Sequence, residues 1–297
     1  MEKQSRRMPF GGIRGVAAAE RDEPESGSIR LVATNVLQTD TGPLIPLYTG
    51  GDLVSLTLGA DGAVLSVEME SPQEIETPAG PFLADGVTFY PSGAIESVRI
   101  GRGKAAVREF EHGYKPFAVA VKGLKFYESG ALREIVFAEG AHADVWPEQY
   151  WRVRARFGVT LHESGEIMSI EPAHPVKAIT PCGTYDAYDP NAGKTAGEHW
   201  SLRFDTLARV TAVTTAGDRV YVRPITGSHY AEYVPDLSGE QQIPLRLQFD
   251  YDAEKVAIFL PDGRAAEYTF EDEFIVYPNA AAGCAASECD ECGLCDK

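Results

Sequence analysis

The feature that most constrains this chain is a glycine-pivoted motif that recurs along it. Copies centre on Gly62, Gly93, Gly130 and Gly165. Four residues before each glycine stands a large apolar residue: Leu58, Phe89, Phe126 or Leu161. Two residues after it comes an aliphatic (Val64, Ile95, Leu132 or Ile167), and five after comes another (Val67, Val98, Ile135 or Ile170). Asp61, Ser92, Ser129 or Ser164 immediately precedes the glycine. Looser copies centre on Gly217, with Val213 and Val222, and on Gly263, with Phe259, Tyr268 and Phe270. Self-similarity of this kind marks a supersecondary unit that must stack on its neighbours.

Asp-Gly and Ser-Gly suit a two-residue hairpin turn, because glycine reaches positive φ without steric cost. Such a turn predicts Phe89, Val98 and Ile100 on one strand face, with Tyr90 and Ile95 paired across the other. A lone hairpin is marginal in water, so six copies are expected to bury one common face together. The expected fold is all-β: an elongated repeat array of antiparallel β-hairpins in an open or curled sheet. Frequent glycine and proline (29 and 19 residues) suit a turn-rich chain.

In order, residues 1–28 are expected to form a flexible N-terminal arm, and residues 29–175 the regular hairpin-repeat region. Residues 176–278 follow as a degenerate hairpin-repeat region, and 279–297 as a cysteine-rich C-terminal tail. Strands are expected over Ile29–Leu37, Leu44–Tyr48 and Ser201–Val213, with a long loop over 184–200. Thr77-Pro78-Ala79-Gly80 and Thr180-Pro181-Cys182-Gly183 echo each other as turns. Trp151 to Phe157 alternates as a strand, with Arg152, Arg154 and Arg156 on one face.

The formal net charge is −17. It argues against nucleic acid and anionic membrane surfaces, both of which call for basic patches, and favours a basic protein partner if any charge preference exists. No apolar run reaches transmembrane length, and the short Val16–Ala19 stretch is too weak for a secretory signal. The expected compartment is cytoplasmic.

Most polar motifs read as turn chemistry. A nucleophile is needed once, whereas Ser92, Ser129 and Ser164 recur at one turn position. His162 stands where Tyr90 and Tyr127 stand in neighbouring copies. Asn191 to Thr195 ends like a phosphate-binding loop, but Tyr188 occupies the position of the required glycine. Asp186, Asp189 and Asn191 lack the glycine and the final glutamate of a calcium loop. No catalytic residue is expected. The three arginines read either as a contact for an anion or acidic peptide, or as cross-strand partners of acids such as Glu163 and Glu166.

The sharpest chemical signal is Cys284-x4-Cys289-x2-Cys292-x2-Cys295, twelve residues holding four thiols. The x2 spacing lets two thiolates reach one metal, so the set is a candidate zinc or iron–sulfur site. The alternative is an oxidisable tail. Cys182 reads as an ordinary thiol, partly buried.

At Phe89-Tyr90-Pro91-Ser92-Gly93-Ala94-Ile95 and Phe126-Tyr127-Glu128-Ser129-Gly130-Ala131-Leu132 the chain resembles MORN-type repeats, in the longer form of a group of bacterial proteins. The resemblance covers roughly 29–225 and excludes the cysteine tail. It implies a scaffold or contact surface with no catalytic residue. The expected function is binding of a protein partner through a solvent face carrying Tyr90, Tyr127, Arg152, Arg154 and Arg156. The rival is a redox or regulatory metalloprotein acting through the four cysteines.

Overall fold

A computed structural model describes residues 64–279, apart from 102, 104, 194–199, 238–241 and 261–262. It also gives the backbone of the short strands Ile13–Arg14, Ala19–Arg21, Ser28–Leu31, Val36–Thr39, Leu44–Pro46 and Val54–Leu58. The described residues are all-β, with antiparallel hairpins and no helix. Among them no helix is long and apolar enough to cross a membrane. Two of the short strands fall within the first 28 residues; Ile13–Arg14 pairs with Val36–Thr39, and Ala19–Arg21 with Ser28–Leu31.

The copies on Gly93, Gly130 and Gly165 fold as hairpins, but their loop is one residue longer than a two-residue turn; Gly62 lies outside the described residues. In the first fully described copy, Tyr90 N donates to Ala94 O (2.9 Å) and Gly93 N to Tyr90 O (2.9 Å). Tyr127/Ala131/Gly130 and His162/Glu166/Gly165 repeat both bonds. This is a three-residue loop in which a β-turn is followed by a left-handed residue, and Gly93 (φ 85) and Gly130 (φ 88) supply it. A β-bulge follows. Phe89 faces Ile95 while Thr88 faces Ser97, so Glu96 is extra; Arg133 is extra in the same way in the next copy. The bulge resets the alternation and brings the residues two and five after the glycine onto the same face. Ile95 therefore lies buried opposite Phe89, with Val98 and Ile100, rather than pairing with Tyr90.

One expected copy is displaced. The strand Val210–Thr215 pairs with Leu202–Phe204 and Leu245–Asp250, not with Asp218–Arg223, so no hairpin pivots on Gly217. The pivot is Ala208. Asp205 N donates to Arg209 O and Ala208 N to Asp205 O, each at 3.0 Å, and Ala208 takes φ 60. The expected strand from 201 to 213 is thus two strands around a turn. The Asp205 carboxylate accepts Leu207 N and Arg209 N, each at 2.9 Å, which holds a non-glycine residue in a conformation it rarely adopts. The Gly263 copy keeps the standard loop, with Leu260 N donating to Arg264 O and Gly263 N to Leu260 O. The two-residue loop does occur, at the Thr-Pro-x-Gly echoes. Thr77 faces Gly80 and Thr180 faces Gly183, and each threonine hydroxyl donates to its glycine carbonyl at 2.7 and 2.8 Å.

The chain divides into two compact units, residues 1–149 with 157–166, and residues 150–156 with 167–297. In the first, one transverse row of aliphatics runs in register through Val67, Val87, Val98, Leu124, Ile135 and Val159. All six are buried. In the second, Ile170, Leu202, Val213, Leu247 and Ile258 form the equivalent row, and all five are buried. The residue five after the pivots Gly62, Gly93, Gly130, Gly165 and Ala208 enters these rows, and their burial is what holds the hairpins side by side.

Candidate functional site: an arginine-lined sheet face

The strand Trp151–Leu161 alternates as far as Arg156 and breaks at Phe157, which takes φ 68 and is exposed rather than on the apolar face. Val153 and Ala155 are buried, Arg152 and Arg154 are exposed on the opposite face, and Arg156 is half-buried there. Arg156 is held by Tyr188, Asp189 and Glu171. Its guanidinium lies over the Tyr188 ring, 4.5 Å from the centroid, and donates to the Tyr188 hydroxyl (3.2 Å), the Asp189 carbonyl (2.7 Å) and Glu171 Oε1 (3.4 Å). Glu171 is fully buried. Its carboxylate also accepts Ser201 N (2.9 Å), Ser201 Oγ (2.6 Å) and Asp189 N (3.2 Å). Burial pushes Glu171 above its ordinary value, while Ser201, Asp189 and Arg156 pull the other way.

Register brings two further arginines to this face. Ser169 lies opposite Arg203, Arg203 opposite Ala212, and Thr214 opposite Arg246. Arg203 and Arg246 therefore flank the strand Val210–Thr215, where the residues between them are the small Ala212 and Thr214. The Arg246 guanidinium stacks over the Phe259 ring at 5.4 Å. Arg203 Nε is buried without an acceptor among the described residues. Neither arginine has an ion pair among the described residues, although the chain carries 44 acids against 27 bases. Burial and the adjacent Arg203 charge hold Arg246 below the ordinary arginine value. Such a pair, on a strongly acidic chain, attracts oxyanions.

Tyr90 and Tyr127 lie in the first unit, the arginines in the second. The Tyr90 hydroxyl donates to the Phe126 carbonyl (2.8 Å) and the Tyr127 hydroxyl to the Leu161 carbonyl (2.7 Å). Phe126 and Leu161 are the residues four before the next pivots, so each tyrosine ties its hairpin to the following one. His162 holds the same turn position in the third copy. Ser129 Oγ accepts Ala131 N (3.4 Å) and Ser164 donates to Glu166, as turn serines do. Asp186 pairs with Lys177 (2.7 Å) and the Asp189 carboxylate accepts Asn191 N (2.7 Å), so neither is set out as a calcium ligand. Among the described residues no three His, Cys, Asp or Glu groups are placed to hold a metal. Cys284, Cys289, Cys292 and Cys295 lie outside the described residues. Cys182 is buried, and burial, then Asp272, pushes its thiol up to about 12.

A scan against protein-family models returns no match, and neither does a search of curated proteins.

Proposed function

We propose that the protein is a non-catalytic binding or scaffold protein built of MORN-like hairpins, acting in the cytoplasm. Its contact surface is the arginine-lined face of the second unit, and its partner is a protein with an acidic segment. The observation that carries this reading is the gathering of Arg152, Arg154, Arg156, Arg203 and Arg246 on one sheet face of a chain whose net charge is −17. The hydroxyls of Tyr90 and Tyr127 are engaged between hairpins, so the arginine row is the part of the expected surface that would attract an acidic partner at long range.

Poly-L-glutamate, titrated against the full chain at low ionic strength, is the direct probe. Wild type is expected to bind, and binding is expected to fade as salt approaches roughly 0.15 M, where exposed charges are screened beyond about 8 Å. Arg152→Glu with Arg154→Glu should weaken it about tenfold or more, as charge reversal at an exposed rim does. Absence of binding, indifference to that double reversal, or tighter binding of duplex DNA to the same face would each overturn the proposal.

A second reading rests on the spacing of Cys284, Cys289, Cys292 and Cys295. There the tail carries zinc or an iron–sulfur cluster in a redox or regulatory role. Anaerobically prepared protein should then contain about one zinc per chain, or iron with visible absorption, and replacement of the four cysteines by serine should remove it. A colourless, metal-free sample ends that reading.

A further inference from the structure

We propose that Arg203 and Arg246 form a seat for a dianionic phosphoryl group. The inference deepens the proposed contact face by naming what one part of it recognises, and it rests on that reading for its partner. Three features converge. Arg203 and Arg246 flank the same strand on one face, and the residues between them, Ala212 and Thr214, are small and uncharged. Arg203 Nε–H is buried and has no acceptor among the described residues. Leaving such a donor unmet is costly, and an anion oxygen would meet it. Phe259 supports one flat side of the Arg246 guanidinium, which fixes the direction of its fork.

The charge balance selects the ligand. The register neighbours of the pair are Ser169 and Gln248, both neutral. Burial and then the Arg203 charge hold Arg246 below its ordinary value, so an anion that meets both groups relieves their repulsion. A carboxylate brings one negative charge and two oxygens. A phosphate monoester or orthophosphate brings up to two charges and three or four oxygens, enough to neutralise both forks and accept from each.

The test uses the full chain at pH 7.5, with sodium phosphate against sodium chloride at matched ionic strength. Wild type should bind orthophosphate saturably by calorimetry and melt at a higher temperature with it. Arg203→Gln and Arg246→Gln should each weaken binding roughly tenfold, and the double variant should abolish it. Lys122→Gln, an exposed change in the first unit, should leave phosphate binding unchanged. Each single arginine change removes one of two repelling charges, and circular dichroism checks the fold; should one variant fail to fold, the other carries the test. A phosphoserine peptide binding tenfold tighter than orthophosphate assigns the seat to a phosphorylated polypeptide, and equal binding assigns it to free phosphate. Either result supports the proposal. No saturable phosphate binding, or binding unchanged in the double variant, overturns it. If poly-L-glutamate still binds in that case, only the seat fails; if phosphate binds but poly-L-glutamate does not, the wider contact face fails and the seat stands.

Discussion

Phe126→Ala is expected to destabilise the first unit by about 4 kcal/mol, within the roughly 3–5 kcal/mol range for phenylalanine truncated in a closed core. Phe126 is the pivot's apolar partner, and its side chain is fully buried. It faces Leu132 across the hairpin, and the preceding residue on its strand, Lys125, faces Ser97 of the previous hairpin on the other side. The surrounding strands are hydrogen-bonded on both edges, so they have little freedom to collapse into the space left by the ring. Guanidinium denaturation followed by circular dichroism measures the effect. Leu83→Ala is the comparison, because Leu83 is 42% exposed and its loss should cost well under about 1 kcal/mol. A Phe126→Ala loss no larger than that of Leu83→Ala would mean that the aliphatic rows do not hold the hairpins together.

Glu171→Leu is expected to cost the second unit about 3 kcal/mol, although leucine is apolar and of similar size. The reason is what the carboxylate leaves behind. Ser201 N, Ser201 Oγ and Asp189 N all donate to it, and Arg156 faces it. Removing one partner of a buried charged network strands the others at their full desolvation cost. Ser201→Ala deletes one donor only and should cost about 1 kcal/mol. The pH dependence has a definite sign. The folded-state proton affinity of Glu171 is raised, so its contribution to stability is fully present below its ordinary value of 4.5 and is lost as pH rises through the folded value. The stability advantage of wild type over Glu171→Gln should therefore shrink as pH climbs from 4.5 towards neutrality. An advantage that grows over that range would mean the donors around the carboxylate outweigh its burial.

The hairpins were legible because each copy states its pivot and its apolar partners within ten residues. Their geometry was legible too, in a detail easily passed over. Aliphatics two and five after the glycine stand three apart, and a strictly alternating strand cannot place both on one face. That odd spacing encodes the bulge, and the bulge moves Ile95 to the core. The Ala208 copy escaped because glycine served as the marker; Phe204, Val210 and Val213 hold the same offsets, and Asp205 supplies locally what glycine supplies by lacking a side chain. Arg152, Arg154 and Arg156 were legible by simple alternation. Arg203 and Arg246 were not, because their nearness depends on which strands adjoin Val210–Thr215, a long-range pairing that no local pattern states.

The ties from Tyr90 and Tyr127 end on main-chain carbonyls. Every residue offers a carbonyl, so the seam between consecutive hairpins makes no demand on the side chain across it. A gene carrying such modules can lengthen or shorten by unequal crossing-over without redesigning each junction. Drift in copy number is therefore cheapest in the stretch where the tyrosines persist, and it meets its first obstacle at His162, which has no phenolic hydroxyl to offer.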